Sequence, residues 1–181
     1  MPLQPISMEM LITRSCHLWD IQSLLLASGD FNLKDFNAMT VGWGSLGYMW
    51  RRPFVQVVVR PVRFTFGFME RFDTFTLTAF PGEYNAALSL LGTKSGRDGD
   101  KIAESGLTPI PSTHVPAPGF AEAELILECR KIYWDDLEPD HFLDDGIHAH
   151  YPSRDYHRIY FGEILAIFGT EKYSIKELSN G

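Results

Sequence analysis

The sequence predicts an antiparallel β-barrel with short inserted helices, and three observations carry that expectation. Strand candidates are short and numerous. The helices between them do not follow the regular strand-helix alternation that a doubly wound parallel sheet needs. Residues 122–134 alternate acids with Ala123, Leu125, Leu127 and Cys129, the pattern of a half-exposed antiparallel strand. The 181 residues are read as one domain over 1–181, long enough to build a core without disulfides or structural metal.

Taken in order, residues 23–27 form an apolar run closed by the turn cluster Ser28, Gly29, Asp30, and read as a strand. Residues 38–43 follow as a second strand. After a glycine-rich stretch, residues 54–60 carry three consecutive valines between Pro53 and Pro61, prolines that suit strand ends, and read as a central strand buried on both faces. Residues 64–72 place apolar side chains at helical spacing, whereas residues 75–80 alternate as a strand. In 83–91 the positions Tyr84, Ala87, Leu88 and Leu91 follow the helical repeat, with Gly92 as the expected C-terminal cap. A short helix over 100–105 ends at Gly106. Four prolines in 109–119 predict a surface loop. Residues 159–168 are the last strand, and 135–145 read as a solvated acidic excursion between two strands.

Twenty-three acids against 16 bases leave a net charge of −7, which repels a phosphate polymer and argues against a nucleic-acid partner. Cys16 and Cys129 are too few for a disulfide framework and stand outside any paired motif, which suits a reducing compartment. No apolar run approaches the roughly 20 residues of a membrane span, and no leader pattern opens the chain. The expectation is a cytoplasmic protein with no membrane partner.

Several clusters carry candidate chemistry. Gly42, Gly44 and Gly47 match the dinucleotide fingerprint, but no helix of useful length fits before Pro53, so the context fails. A glycine turn between strands and a close approach for a flat ligand both stay open. Residues 92–98 unite two glycines, two hydroxyls, Lys94 and Arg97, a composition that suits a phosphate cradle or a capped loop, though not a P-loop. Arg60, Arg63 and Thr65 fall at a strand exit and the start of a helix, where amides favour anions. Asp140, His141, Asp144, Asp145, His148 and His150 resemble metal ligands in type but lack metal-ligand spacing, and no metal is expected. Cys16 beside His17 has no orienting group, and no hydrolase motif occurs.

Read together, residues 37–44 (Asn-Ala-Met-Thr-Val-Gly-Trp-Gly), 60–65 (Arg-Pro-Val-Arg-Phe-Thr) and 92–98 (Gly-Thr-Lys-Ser-Gly-Arg-Asp) resemble the flavin reductase-like family, within it the flavoredoxin branch. The likeness continues through 103–109 and 155–164 (Asp-Tyr-His-Arg-Ile-Tyr-Phe-Gly-Glu-Ile). The resemblance implies an FMN-binding split β-barrel, a homodimer and one FMN per subunit near the subunit interface. It implies that Thr40, Val41, Gly42, Trp43 and Gly44 line the flavin ring and ribityl chain, with Met39 beside them and Asn37 either touching FMN or fixing the turn. Arg63, Thr65, Lys94 and Ser95 would hold the phosphate, with Arg60 either joining them or pairing with an acid. His157 and Trp43 are the side chains to test near the ring, His157 either as a donor contact or as a structural hydrogen bond. The implied function is an oxidoreductase passing electrons from NAD(P)H through FMN to an acceptor. The alternatives are a flavin electron carrier served by a reduced protein such as a ferredoxin, and a flavin-free binding or metal protein using the His and Asp loop.

Overall fold

The computed structural model describes residues 2–175. Met1 and residues 176–181, the ends of the expected domain, lie outside the described residues. In chain order the strands are β1 (Gln4–Pro5), β2 (Leu24–Asp30), β3 (Asp35–Val41), β4 (Gly44–Met49), β5 (Arg52–Val59), β6 (Thr74–Ala79), β7 (Pro109–Ile110), β8 (Gly119–Phe120), β9 (Leu125–Asp136) and β10 (Arg158–Gly169). The α-helices are α1 (Phe64–Arg71), α2 (Asn85–Thr93) and α3 (Lys101–Ser105). The main sheet runs β3-β2-β6-β9-β10-β5-β4, antiparallel throughout, with β1 added on β10. Strands β5, β6, β9 and β10 form a Greek key.

Met39 and Val41 at one end of this order share a core with Val55, Val57 and Val59 near the other, so the sheet wraps round one interior. Among the described residues no ladder joins β3 to β4, and the barrel is split there. A second apolar layer lies outside it, where Leu25, Ala27 and Ala38 meet Leu88 and Leu91 of α2 and Ile102 of α3. Strand β2 is therefore covered on both faces, which explains its unbroken apolar run.

Several expectations are corrected. Ser28, Gly29 and Asp30 continue β2 in register with β3, and the turn follows at residues 31–34. Strand β5 alternates, with Val55, Val57 and Val59 inward and Val58 half-buried, so it is central but not buried on both faces. Gly92 lies inside α2, which runs to Thr93 before Lys94 turns extended. The proline segment is not a free surface loop: Ala117 and Pro118 are buried, Thr76 donates to the Pro118 carbonyl, and the Glu128 carboxylate accepts from the Thr113 and His114 amides. Glu128, expected on an exposed face, is buried for that reason. The acidic excursion extends over residues 137–157 and returns against the barrel, burying Tyr151.

The largest departure is β4, a strand where the glycines suggested a turn. It pairs with β5 through a tight hairpin whose central residues, Trp50 and Arg51, both have positive φ, without the Asn-Gly signal that usually marks such a turn. Its glycines make room for rings: a Cβ on Gly44 would stand 2.4 Å from the Gln56 carbonyl oxygen and 2.5 Å from the Trp19 indole. Gly44→Ala is expected to destabilise the protein by about 1–3 kcal/mol in urea denaturation, the scale of overpacking. Gly67→Ala in α1, where nothing lies within 4 Å, should instead stabilise it by about 0.5–1 kcal/mol through helix propensity. Equal responses at the two sites would contradict this reading.

Candidate functional site

Strand β3 is an edge of the sheet, and two small cavities open along its C-terminal half. One, of about 190 Å³, is bounded by residues 39–43, Val58, Arg60 and His157. The other, of about 180 Å³, lies between the start of α1 and the end of α2 and is bounded by Arg63, Thr65, Lys94, Ser95, Arg97 and Lys101 among others. Met39 lines both. A groove of about 730 Å³ on the far side of Phe64 and Lys101 is larger, but it contains none of residues 39–43 and not His157.

The second cavity is cationic because of how α2 ends. The last carbonyls of a helix have no partner within it and carry the negative end of its dipole. Here Arg63 Nη2 donates to the Gly92 carbonyl, and Lys101 Nζ donates to those of Leu91 and Lys94 at 2.9 and 3.1 Å. Lys101 is only 3% exposed. Among the described residues neither cation has a carboxylate partner. Burial, and after it the charge of Arg63, pull the Lys101 pKa down to about 8. Burial also lowers that of Arg63, helped by Arg60.

Thr65 stands in the first turn of α1, where the amides of Phe64 and Thr65 have no intrahelical acceptor. Its buried hydroxyl accepts from Asn37 Nδ2 at 2.8 Å, which leaves its own hydrogen free to donate. Asn37 itself lines neither cavity; it sets Thr65 from below. Ser95 Oγ accepts from the Arg97 amide and caps a short 3-10 turn.

Other expected members are placed differently. The Lys94 ammonium is paired with Glu104 at 2.6 Å, although the residue lines the cavity. Arg60 faces the first cavity and not the second, pairs with Asp155 at 3.1 Å and donates to the His150 carbonyl, the acid-pairing alternative. Gly44 lies in β4 under Trp19 and lines neither cavity. Thr40 lines the first cavity, and its hydroxyl donates to the Leu88 carbonyl at 2.5 Å. Trp43 stands at the mouth, half exposed, 5.2 Å from the His157 ring and 5.5 Å from that of His150.

His157 is 9% exposed, and its Nδ1 lies 2.8 Å from the Tyr151 hydroxyl. Burial, and secondarily Arg60, lower its pKa to about 4 against the pull of Asp155, so the imidazole is neutral near pH 7. The His and Asp residues of 140–150 do not converge: His148 bonds the Tyr156 hydroxyl, and Asp144 caps the turn at Gly146. Cys16 is exposed and Cys129 buried, both free.

Sequence reasoning missed Lys101, Arg97 as a cavity residue, and Tyr151. A trace of Lys101 was present: a lysine at the first position of a helix capped by Asp100 stands against the dipole, an arrangement that another partner must justify. Its burial has a measurable consequence. Below about pH 8 Lys101 is charged in the folded and unfolded chains alike, and the penalty of burying that charge is fully present. Between about 8 and the ordinary 10.5 the folded protein holds fewer protons than the unfolded chain, so stability rises with pH. Relative to Lys101→Met, the wild-type protein should gain about 3 kcal/mol across that interval. A pH-independent difference in denaturant unfolding would contradict it.

Comparisons with known proteins bear on the family and the fold. A family model described as the flavin reductase like domain matches residues 25–174. Among solved structures, flavoredoxin of Desulfovibrio vulgaris (Miyazaki F) superposes with a TM-score of 0.65 at 22% identity, covering 89% of this chain and 73% of that one. Flavoredoxin from Methanosarcina acetivorans gives 0.65 at 21% identity over 91% and 76% of the two chains. Nitrilotriacetate monooxygenase component B from Bacillus cereus gives 0.66 at 16% over 86% and 73%. At these identities the likeness is one of fold. No curated protein sequence matches. The family match spans the split barrel and both cavities on β3, and the chain belongs to the flavin reductase-like family.

Proposed function

We propose that this chain is a single-domain, FMN-binding oxidoreductase of the flavin reductase or flavoredoxin type, taking electrons from a reduced donor such as NAD(P)H for delivery to an acceptor. One observation carries the reading: two cations without carboxylate partners among the described residues, the half-buried Arg63 and the buried Lys101, line a cavity that shares Met39 with a second, where among the described residues Asp155 already balances the one cation, Arg60. An ionic end and a flat, largely uncharged end match a riboflavin phosphate.

In this reading Arg63, Lys101 and the Thr65 hydroxyl hold the phosphate with the amides that open α1, and Ser95 and Arg97 close over it. Charge-assisted bonds of this kind are about twice as strong as neutral ones. Residues 40–43 and Val58 receive the ring, and His157 and Trp43 bound the side from which a donor approaches. The bound flavin supplies the redox chemistry, so no acid-base or nucleophile pair is required of the protein.

A second reading, a flavoredoxin-like carrier without significant NAD(P)H turnover, is favoured by the net charge of −7, which suits a basic protein partner. A cytoplasmic location is part of the proposal; among the described residues no helix is long and apolar enough to cross a membrane. A homodimer is proposed because Trp43 at the cavity mouth, Tyr48 on β4 and Trp50 in the hairpin that follows it are large, apolar and exposed.

Titration of flavin fluorescence tests the phosphate assignment. Arg63→Ala and Lys101→Met should each weaken FMN binding by about 10–100-fold, the worth of a hydrogen bond to a charged group, while riboflavin binding changes little. Equal losses for both ligands would refute the assignment. Stopped-flow reduction separates the two readings: rapid bleaching by NADH or NADPH supports the reductase, slow bleaching with fast exchange from a reduced ferredoxin the carrier.

A further inference from the structure

The segment 137–157 returns to the barrel as a set of packed rings. Tyr151 lies on Tyr156 with centroids 4.5 Å apart and 29° between planes, and Phe142 lies against Tyr156 at 5.7 Å and 28°. The Arg60 guanidinium sits 5.2 Å from the Tyr151 centroid while it holds Asp155 and the His150 carbonyl, which ties the segment to the end of β5. Tyr151 is left 4% exposed, with its hydroxyl 2.8 Å from His157 Nδ1.

This contact decides where the imidazole carries its hydrogen. A buried phenol O–H must be donated to an acceptor, and among the described residues Nδ1 is the partner of that hydroxyl. Nδ1 therefore receives a hydrogen, and the neutral ring bears its own on Nε2. Among the described residues Nε2 has no protein partner, and the ring forms a wall of the first cavity. We propose that Tyr151 is a positioning residue that locks His157 as its Nε2–H tautomer, so that the imidazole presents one hydrogen-bond donor to an oxygen or nitrogen acceptor of a flat heterocycle in that cavity. Identifying the heterocycle as the flavin ring or its nicotinamide donor rests on the reading above.

The charged and titratable groups around His157 are Arg60 from the end of β5, Asp155 and Tyr151 from the return segment, and His150 across Trp43. Burial and Arg60 outweigh Asp155, so the donor persists across neutral pH and His157 moves no proton there.

Long-range proton–nitrogen NMR of imidazole-labelled, cofactor-free protein reads the tautomer directly. The expected result is a protonated Nε2 and a lone-pair Nδ1 on His157, unchanged from about pH 5 to pH 8. A hydrogen on Nδ1, or titration within that range, would overturn the proposal, and this measurement needs no variant. Tyr151→Phe should shift the signals toward a tautomer mixture and lower kcat for NADH-driven reduction of bound FMN about ten-fold, the loss of one neutral hydrogen bond, with KM for NADH little changed. An unaltered tautomer in that variant also overturns it. Failure of the wild-type protein to bind FMN would instead remove the flavin assignment and leave the tautomer result standing.

Discussion

The end of α2 is the constraint on which the site depends. Three carbonyls there have no partner inside the helix, and the fold answers them with side-chain cations from two different segments. Arg63 comes from the approach to α1 and Lys101 from the start of α3. The helix end thus fixes two positive charges side by side without neutralising them, which a salt bridge to an acid would have done. An anion binding there meets donors already in position, and the cost of desolvating them was met during folding.

Strand β3 connects that charge to the rest. Its inward residues belong to the barrel core, its outer face is covered by α2, and its exposed edge runs past both cavities. Asn37 near one end supports Thr65, Met39 lines both cavities, and Thr40 anchors to α2 through Leu88. The division of labour follows from the geometry of a strand: neighbouring residues project to opposite faces, so one short segment holds the core and shapes the site.

How much of this the sequence reveals varies with the range of the interaction that decides each element. Strands β2, β6, β9 and β10 and helices α1 and α2 are legible because their apolar runs or repeats are complete within each segment. Strand β4 is hidden because its glycines answer to Trp19 and Phe54, residues distant in sequence or across a hairpin whose turn has no glycine. The proline segment misleads because Glu128 and Thr76, on other strands, satisfy its backbone. At the site, the clusters around Arg63 and Ser95 are local in composition and stand out. Lys94 and Lys101 are seven residues apart and look alike on paper, yet Glu104 takes the first, while the second is buried against the Leu91 and Lys94 carbonyls. Tyr151 stays invisible until the return of 137–157 is seen, since nothing in an acidic, histidine-bearing stretch indicates which ring turns inward.

The strand order also shapes how the protein is made. Strand β5 is synthesised well before β10, one of its two partners, and β1 waits for the same strand. Until then an edge rich in valine stands open on the nascent chain, where it can template pairing with other polypeptides. Closing that edge is therefore coupled to synthesis of β10, and chains cut short before it will be sticky in proportion to how much of that strand they lack.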